Sequence, residues 1–563
     1  MSTATASKSK ELEGDVVDVA RQLLEAGGRD AEVLAVIQKL VARNAELERE
    51  LSERRRRANV SERQASGQLR LFAVKAAEIA TDAEIQSETM ALEDAAKSEL
   101  ESQRKQREAA ASRDKKKGRP NHGDREIPVG LEEVVNPLPL TAEDRQCPTC
   151  QGERTSITPE TTRVVELVPA RIVVRVDVQQ KVVCKACDAH VKRAEPGARV
   201  VAGGWYGPCL VATLLTAKFD DGVPLHRSRD QFLRLGYNMP YSTIVSQVEL
   251  ASDVLEPLWR CLKAQVLKSK VMHLDATSMP VLVKDLGRVG YGALWGMAGV
   301  SGVQRVAAFT YCSTGAARGV RRDPSSGELR EEGPLDLLDK RSGYVVLDAA
   351  TMYETAFKRT ALTEVGCNMH ARRYYVKAKD SGDVRAAHPI EAFQALYFIE
   401  AGLAGKSREE IADARHTRAK PIYAALLSWA RAMKSREPPK SSLARAVSYQ
   451  LGNEVALTRY LDDPDLPPDN GLVERLHRRP AIMRMNALFA GSHEGGRRAA
   501  IITSVTASCR LAGVNATAYL TDVIPRLQRG VAERELPALL PEAWKAERGS
   551  SSLLTVPHLP RFR

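Results

Sequence analysis

The sequence predicts a multidomain α+β protein. Three features point there: charged helical segments at the start, a β-rich stretch bracketed by two Cys-x-x-Cys pairs, and a later run of apolar strands set among helices. A chain of 563 residues exceeds one ordinary domain, and 43% hydrophobic residues suffice for real cores. Formal net charge is +12 and the pI is near 9.2. That surplus fits a polyanionic partner, of which nucleic acid is the commonest; a merely soluble basic protein has the same balance. No run of about 18 apolar residues occurs, which argues against a membrane span. The start, MSTATASKSKELEGD, lacks an apolar signal core, so a cytoplasmic location is expected. Nine cysteines are too sparse for a disulfide scaffold.

Residues 1–100 read as charged helix. Val33, Ile37, Leu40, Asn44, Leu47 and Leu51 recur at alternating spacings of four and three, an a/d seam with Asn44 at one core position. The expectation is a short two-stranded coil, hence a homo-oligomer; an ordinary amphipathic helix is the plainer alternative. Residues 101–126, with KKKGRP at 115–120, have little apolar content and read as a charged linker.

Residues 127–200 read as a small zinc-binding β module. VVELVPARIVVRVDVQQKVV at 164–183 is rich in β-branched residues. Cys147 and Cys150 precede it; Cys184 and Cys187 follow it. Each Cys-x-x-Cys puts two thiolates on one tight turn, and two such turns complete a closed four-sulfur site suited to one structural zinc. Two unrelated turns, or a redox pair, are the alternatives. His190 is surplus to such a site. Cys209, Cys261, Cys312, Cys367 and Cys509 are scattered and read as structural.

Residues 201–262 read as helices with a helix-turn-helix-like region. Phe232, Leu233 and Leu235 suggest an apolar face, Gly236 a helix end, and Ser242 after Pro240 an N-cap for a second helix. Many helical hairpins share this grammar, and pure packing competes with DNA contact. The candidate contacts are Arg227, Arg229, Arg234 and Ser242. From 263 to 379 the pattern turns to strands with short helices; 380–465 and 466–530 return to helix, and 531–563 reads as a C-terminal tail.

Three carboxylates stand out. In KVMHLDATSMPVLV, residues 270–283, a strand pattern carries Asp275 at the end of an apolar stretch. A buried carboxylate is costly unless paired or metal-bound; a turn-capping Asp beside Thr277 is the plainer reading. In GYVVLDAATMYETAF, residues 343–357, four apolar residues lead into Asp348, and Thr351 with Glu354 forms a capping box for a following helix. Asp348 thus sits at a strand's carboxyl end, where open α/β sheets bind ligands. In PPDNGLVERLHRRP, residues 467–480, Asn470 can cap a helix and Pro480 stop it. Leu472, Val473 and Leu476 form its apolar face, with Glu474, His477 and Arg478 opposite. Singly, Glu474 reads as a surface partner of Arg478. Together, two strand-end aspartates and a helical glutamate suit a site for two divalent ions roughly 3.5–4 Å apart, magnesium or manganese by their preference for oxygen ligands.

These stretches carry a resemblance. From the Cys pairs to about residue 530 the chain resembles the transposases of the insertion-sequence-66 family, through CPTC with CKAC, VPLHR, HLDATSMPV, VVLDAATMY, GCNMHARRYY and DNGLVERLHRRPAIMRMNALFAGS. The resemblance implies a ribonuclease-H-like α/β catalytic core that cuts element ends and joins their 3′-hydroxyls to target DNA. It makes Asp275, Asp348 and Glu474 the catalytic triad and makes the helical stretch between the second Asp and the Glu an insertion. His370, Arg372 and Arg373 fall in the family's C-x-x-H-x-R-R stretch. Arg475, Arg484 and Asn486 match the motif around and after the Glu, and Arg478 lies within it; guanidinium groups there suit phosphate contact. The chain departs from the family pattern at Ala276, at Ala349 and Ala350, at Met485, and in an enlarged loop at 321–333.

The expected protein is a DDE transposase acting on the double-stranded DNA of element ends and target, nucleoid-associated, with two catalytic divalent ions and one zinc. The resemblance suggests accessory proteins of the same element. Phosphate contacts imply strongly salt-dependent binding. The first rival is a catalytically inactive, zinc-containing DNA-binding regulator derived from a transposase. Absence of metal-dependent cutting or joining under any condition would favour the regulator, and strand transfer left intact by Asp275→Asn would refute the triad. A nuclease for RNA–DNA hybrids and a coiled-coil assembly protein are further rivals. The basic N-terminal apparatus argues against the former, and the Cys pairs and Asp-ended strands against the latter.

Overall fold

The computed structural model describes residues 82–116, 170–182, 192–195, 197–201, 203–283, 288–302, 304–319, 331–348, 353–359 and 361–548. The heptad seam at 33–51, the four cysteines of the two Cys-x-x-Cys pairs, Thr351 of the capping box and the last fifteen residues lie outside them. The chain divides into two compact units.

The larger unit is built on a mixed five-stranded sheet in the order β5-β4-β3-β6-β7. Its strands are β3 (Val271–Val283), β4 (Arg288–Ser301), β5 (Gln304–Cys312), β6 (Gly343–Leu347) and β7 (Leu362–Gly366); β1 (Lys181–Val182) and β2 (Lys192–Arg193) form a separate antiparallel pair. β3 runs antiparallel to β4 and parallel to β6, and β6 is parallel to β7. Both faces of the sheet are covered, and period-two alternation sorts the side chains. Leu294, Ala298, Ala307 and Phe309 join one core; Trp295, Met297, Ala308, Val345 and Leu347 join the other.

Helices α2 (Pro208–Phe219), α3 (Leu225–Arg234) and α4 (Tyr241–Lys268) precede the sheet. α4 is a sheet-packing helix: Leu255, Leu258, Trp259 and Leu262 are buried in the first core. Two expectations for this region need correction. Ser242 does not cap α4, because Pro240 holds the N-cap position without a side-chain bond. Leu233 and Leu235 do not face the core and are 52% and 39% exposed. The buried stripe of α3 is Leu225, Ser228 and Phe232, at three- and four-residue steps, which turns its neighbours outward.

After β6 come α6 (Glu354–Arg359) and then, beyond β7, α7 (Asn368–Asp380); the short α5 (Pro334–Leu338) lies before β6. α8 (Ala387–Gly402), α9 (Arg408–Ala414), α10 (Lys420–Arg436), α11 (Ser442–Gly452) and α12 (Glu454–Thr458) follow. The smaller unit takes residues 82–100, 371–398 and 418–454 of the described chain. Its core holds Leu92, Tyr375, Phe393, Tyr423 and Trp429. Trp429 donates its indole N–H to Thr89 at 3.2 Å, and Arg418 pairs with Glu99. The N-terminal segment 82–100 thus packs with helices more than 270 residues later, a partnership its own charged sequence does not announce. It opens α1 (Asp82–Lys116), which carries helix through 101–116 of the stretch read as linker. Ala, Glu, Lys, Gln and Arg dominate that stretch, and all are strong helix formers.

The chain returns to the sheet through α13 (Gly471–Leu476), α14 (Arg478–Ala487), α15 (His493–Ala512), α16 (Ala516–Gln528) and α17 (Pro541–Arg548). α15 is buried nearly all round from Gly496 to Ala512. It covers the outer edge of β5: Ser504 accepts from the Phe309 N–H at 2.7 Å, and Ser508 accepts from the Ala307 N–H at 3.1 Å. Trp259 adds a bond to the Phe309 carbonyl at 2.8 Å. Edge groups that would otherwise be open to pairing are thereby satisfied. Among the described residues no helix is long and apolar enough to cross a membrane.

Residues 531–548, expected to be tail, are part of the fold. A 3₁₀ segment and α17 bury Leu536, Leu539, Leu540 and Trp544. Trp544 packs edge-on against Tyr519 at 5.5 Å and donates to Asp522 at 2.9 Å. Four spaced apolar residues look weak in isolation, yet Leu539, Leu540 and Trp544 join the first core. Trp544→Ala should therefore lower stability by about 3–5 kcal/mol, read from urea unfolding; a true tail would leave the midpoint unmoved.

Candidate active site

The site begins with strand register. β3 and β6 pair in parallel from Val271 with Tyr344 to His273 with Val346. Two residues further along stand Asp275, still within β3, and Asp348, the first residue past the end of β6. Equal offsets from the last parallel pair bring the two aspartates to the same end of adjacent strands, which lie roughly 4.8 Å apart. Both are half-buried. Asp275 pairs with Gly296 within β3 and β4, so it sits in mid-strand and is no turn cap. Tyr353 gives an independent sign of convergence. Its hydroxyl is pushed well above the usual phenol range, first by burial and then by the charges of Asp348 and Asp275.

Glu474 arrives on α13, which is fastened to β3 at both ends. At one end Asn470 is 1% exposed. Its amide donates to the Leu274 carbonyl at 2.8 Å, and its Oδ1 lies 3.0 Å from His273 Nδ1. Since that oxygen is an acceptor, His273 carries its proton on Nδ1. The Asn470 N–H points at Cys367 Sγ, 3.3 Å away. At the other end His477 Nε2 donates to the Asp275 carbonyl at 3.2 Å. So α13 spans the β3 segment 273–275.

His477 was expected on the polar face with Glu474 and Arg478. It is buried, edge-on to Phe309 at 5.5 Å. A neutral imidazole with its N–H satisfied behaves as a core side chain, which a helical wheel does not register. Asn470 likewise makes no side-chain cap bond, because its amide is committed to β3. Pro480 falls in the first turn of α14, where proline is tolerated, so helix resumes after a break at His477. Gly296 makes room: a Cβ there would meet His477 Nε2 at 2.6 Å and Phe309 at 2.9 Å.

A second cluster adjoins Glu474. Ligand atoms of Cys367, His370 and Glu474 all lie within 4.8 Å of one another, and His370 Nδ1 is 3.6 Å from Glu474 Oε1. Cys367 is buried, and burial pushes its thiol up to about 12.

The candidate nucleic-acid contacts fall in several places. Arg227, Arg229, Arg234 and Ser242 are exposed on α3 and the first turn of α4. Arg475 and Arg478 are exposed, while Arg484 fastens α14 to β3 through Thr277 Oγ1 at 2.8 Å and the Ser278 carbonyl. Asn486 donates to the Gly222 carbonyl at 2.9 Å. His370 is half-buried beside Glu474; further along α7, Arg372 is half-buried and Arg373 exposed. The motifs did not single out Gly296, Tyr353, or the anchoring roles of Asn470 and His477. Only the three-residue spacing of Cys367 and His370 was there to be seen.

The sequence profile described as Transposase IS66 family matches residues 203–498. The chain belongs to the IS66 transposase family. The match spans the whole sheet together with α13 and α14, and it begins after the Cys pairs. Similar proteins include two from Sinorhizobium fredii. The uncharacterized protein y4jD is 27% identical over 416 residues, 73% of this chain and 80% of the relative. The uncharacterized protein y4hP is 28% identical over 452 residues, 76% of this chain and 77% of the relative. In this IS66-family chain, Asn470 and His477 secure the helix that carries Glu474.

Two predictions test that anchoring. Gly296→Ala should displace His477 and cost about 1–3 kcal/mol, measured by urea unfolding; an unchanged midpoint would mean the close approach is unimportant. Burial lowers both His273 and His477 from the usual 6.5 to about 4. Above pH 6.5 they are neutral in folded and unfolded chains alike, and their stability contribution is complete. Between 6.5 and about 4 the unfolded chain takes up protons that the folded chain refuses, so stability falls, by roughly 3 kcal/mol per residue at most. The Tm of His477→Gln should accordingly drop less steeply than wild type between pH 7 and pH 4.5; parallel curves would disprove the assignment.

Proposed function

We propose that this chain is a DDE transposase that binds the ends of its element and carries out metal-dependent DNA cleavage and strand transfer. The observation that carries this is the parallel register of β3 and β6, which brings Asp275 and Asp348 to the same end of adjacent strands, with Glu474 on a helix bonded across β3. The strand order β5-β4-β3-β6-β7, with β4 alone antiparallel to its neighbours and β5, β3, β6 and β7 running the same way, supports a ribonuclease-H-like core. Family membership supports DNA as the partner.

Asp275, Asp348 and Glu474 are the residues to hold two magnesium or manganese ions. Their carboxylates, all half-buried, are the hard oxygen donors such ions prefer. When bound, these ions supply Lewis acidity to the scissile phosphate and its attacking and leaving oxygens. The protein's own part is positional. Asn470 and His477 hold α13 so that Glu474 keeps its station. Arg475 and Arg478, exposed next to Glu474, suit the DNA backbone. Arg227, Arg229, Arg234 and Ser242 form an outlying contact surface on α3 and α4. His370, Arg372, Arg373 and Arg484 complete the set of polar groups assigned to DNA. A four-cysteine zinc at Cys147, Cys150, Cys184 and Cys187, oligomerisation through the N-terminal heptads, and action at the nucleoid belong to the same reading.

The test is a strand-transfer assay on DNA carrying the flanking terminal repeats, with and without magnesium. Asp275→Asn, Asp348→Asn and Glu474→Gln should each reduce the rate on the order of a thousand-fold, as loss of several kcal/mol of transition-state stabilisation requires, while end binding persists. Activity retained in any of the three would remove that residue from the triad.

A further inference from the structure

We propose that Cys367, His370 and Glu474 form a second metal site, selective for zinc-like ions, which shares Glu474 with the magnesium centre so that zinc binding takes Glu474 out of service. The metal site stands on its own geometry; only the inhibitory consequence rests on the transposase reading.

Three observations carry the site. The first is reach. The three ligand atoms lie within 4.8 Å of one another, and the His370 Nδ1 to Glu474 Oε1 separation is 3.6 Å. A tetrahedral zinc with bonds of roughly 2.0–2.1 Å sets a nitrogen–oxygen edge of about 3.3 Å. That edge is nearly formed already, and from within 4.8 Å the sulfur needs to close by at most about an ångström, within the range of a side-chain rotation.

The second is construction. Cys367 immediately precedes α7 and His370 lies in its first turn, so the three-residue spacing turns both toward one side. Glu474 comes from α13, whose anchoring by Asn470 and His477 fixes the distance between the two helices. Cys367, buried and backed by the Asn470 N–H at 3.3 Å, has a donor aimed at its sulfur that favours the thiolate. Asp469 and Glu474 add negative charge close to that sulfur, which favours a cation in the site.

The third is chemistry. Thiolate, imidazole and carboxylate together are a zinc donor set, with water in the fourth position; magnesium, a hard ion, does not seek the thiolate. In the metal-free protein the thiol is protonated, since burial pushes it up to about 12. Binding therefore forms the zinc–sulfur bond and releases that proton to solvent, with no change in oxidation state. Glu474 cannot serve zinc through this oxygen and keep its full role in the two-ion centre.

The experiment is titration of the full chain with cobalt(II) as the zinc probe, read by thiolate-to-cobalt absorption. Wild type should show a charge-transfer band and one bound ion that Cys367→Ser lacks. Any four-cysteine site contributes equally to both proteins and cancels in the difference. His370→Gln should weaken binding of that ion by at least about tenfold; it serves as the second probe should Cys367→Ser fail to fold by circular dichroism. In strand transfer with magnesium, added zinc should inhibit wild type strongly and Cys367→Ser weakly, each relative to its own zinc-free rate. Identical cobalt spectra and stoichiometry in wild type and both variants would overturn the site. Should the chain show no strand transfer at all, the cobalt difference would still decide the metal site, and the transposase reading would fail separately. A cobalt difference with equal zinc inhibition in all three proteins would overturn the sharing of Glu474.

Discussion

Everything at the candidate site depends on a few buried polar bonds that clamp α13 across β3. Asn470 bridges a strand carbonyl and a buried histidine, and His477 meets the carbonyl of Asp275 itself. Polar groups so far from water are costly to leave unpaired, roughly 1–3 kcal/mol each. The clamp is therefore specific in register as well as stabilising. Sliding α13 by one residue would strand several of these groups at once. A glutamate 126 residues after Asp348 is thus held to a fixed place against the sheet.

Parallel pairing supplies the other half of the geometry. Because β3 and β6 run the same way, the chain leaves β6 at Asp348 on the same end of the pair as Asp275. An antiparallel pair would have sent one of them toward the opposite end of the sheet. The small residue on the neighbouring strand matters equally: Gly296, beside Asp275, lets His477 descend onto the sheet. The same closeness that fixes Glu474 also brings it beside Cys367 and His370, so one anchoring device frames two metal-binding possibilities of different hardness.

Much of this was legible locally. Four apolar residues running into Asp348, and the apolar stretch before Asp275, mark strands that deliver carboxylates to a sheet. Pro467, Pro468 and Asn470 mark the start of α13. What local pattern misjudged were residues whose environment comes from elsewhere. His477 counted as polar on a wheel, yet it is a core residue because a distant carbonyl satisfies it. Leu233 and Leu235 counted as apolar core, yet the stripe through Phe232 faces the core and they do not. Leu536, Leu539 and Trp544 are too sparse to signal a folded segment, yet all are buried, with Trp544 against Tyr519 and the Leu539 carbonyl bonded by the Tyr519 hydroxyl.

By itself the sequence determined the menu: helix and strand by periodicity, three carboxylates in the right chemical settings, a basic balance, and motifs specific enough to name a family. Those are local properties, set by side-chain chemistry and spacing within a few turns or strands. Only the tertiary structure decided which of those groups meet. Pairing between residues 197 or 202 positions apart, as for His273 with Asn470 and Asp275 with His477, depends on loop closure and on burial that no short window contains.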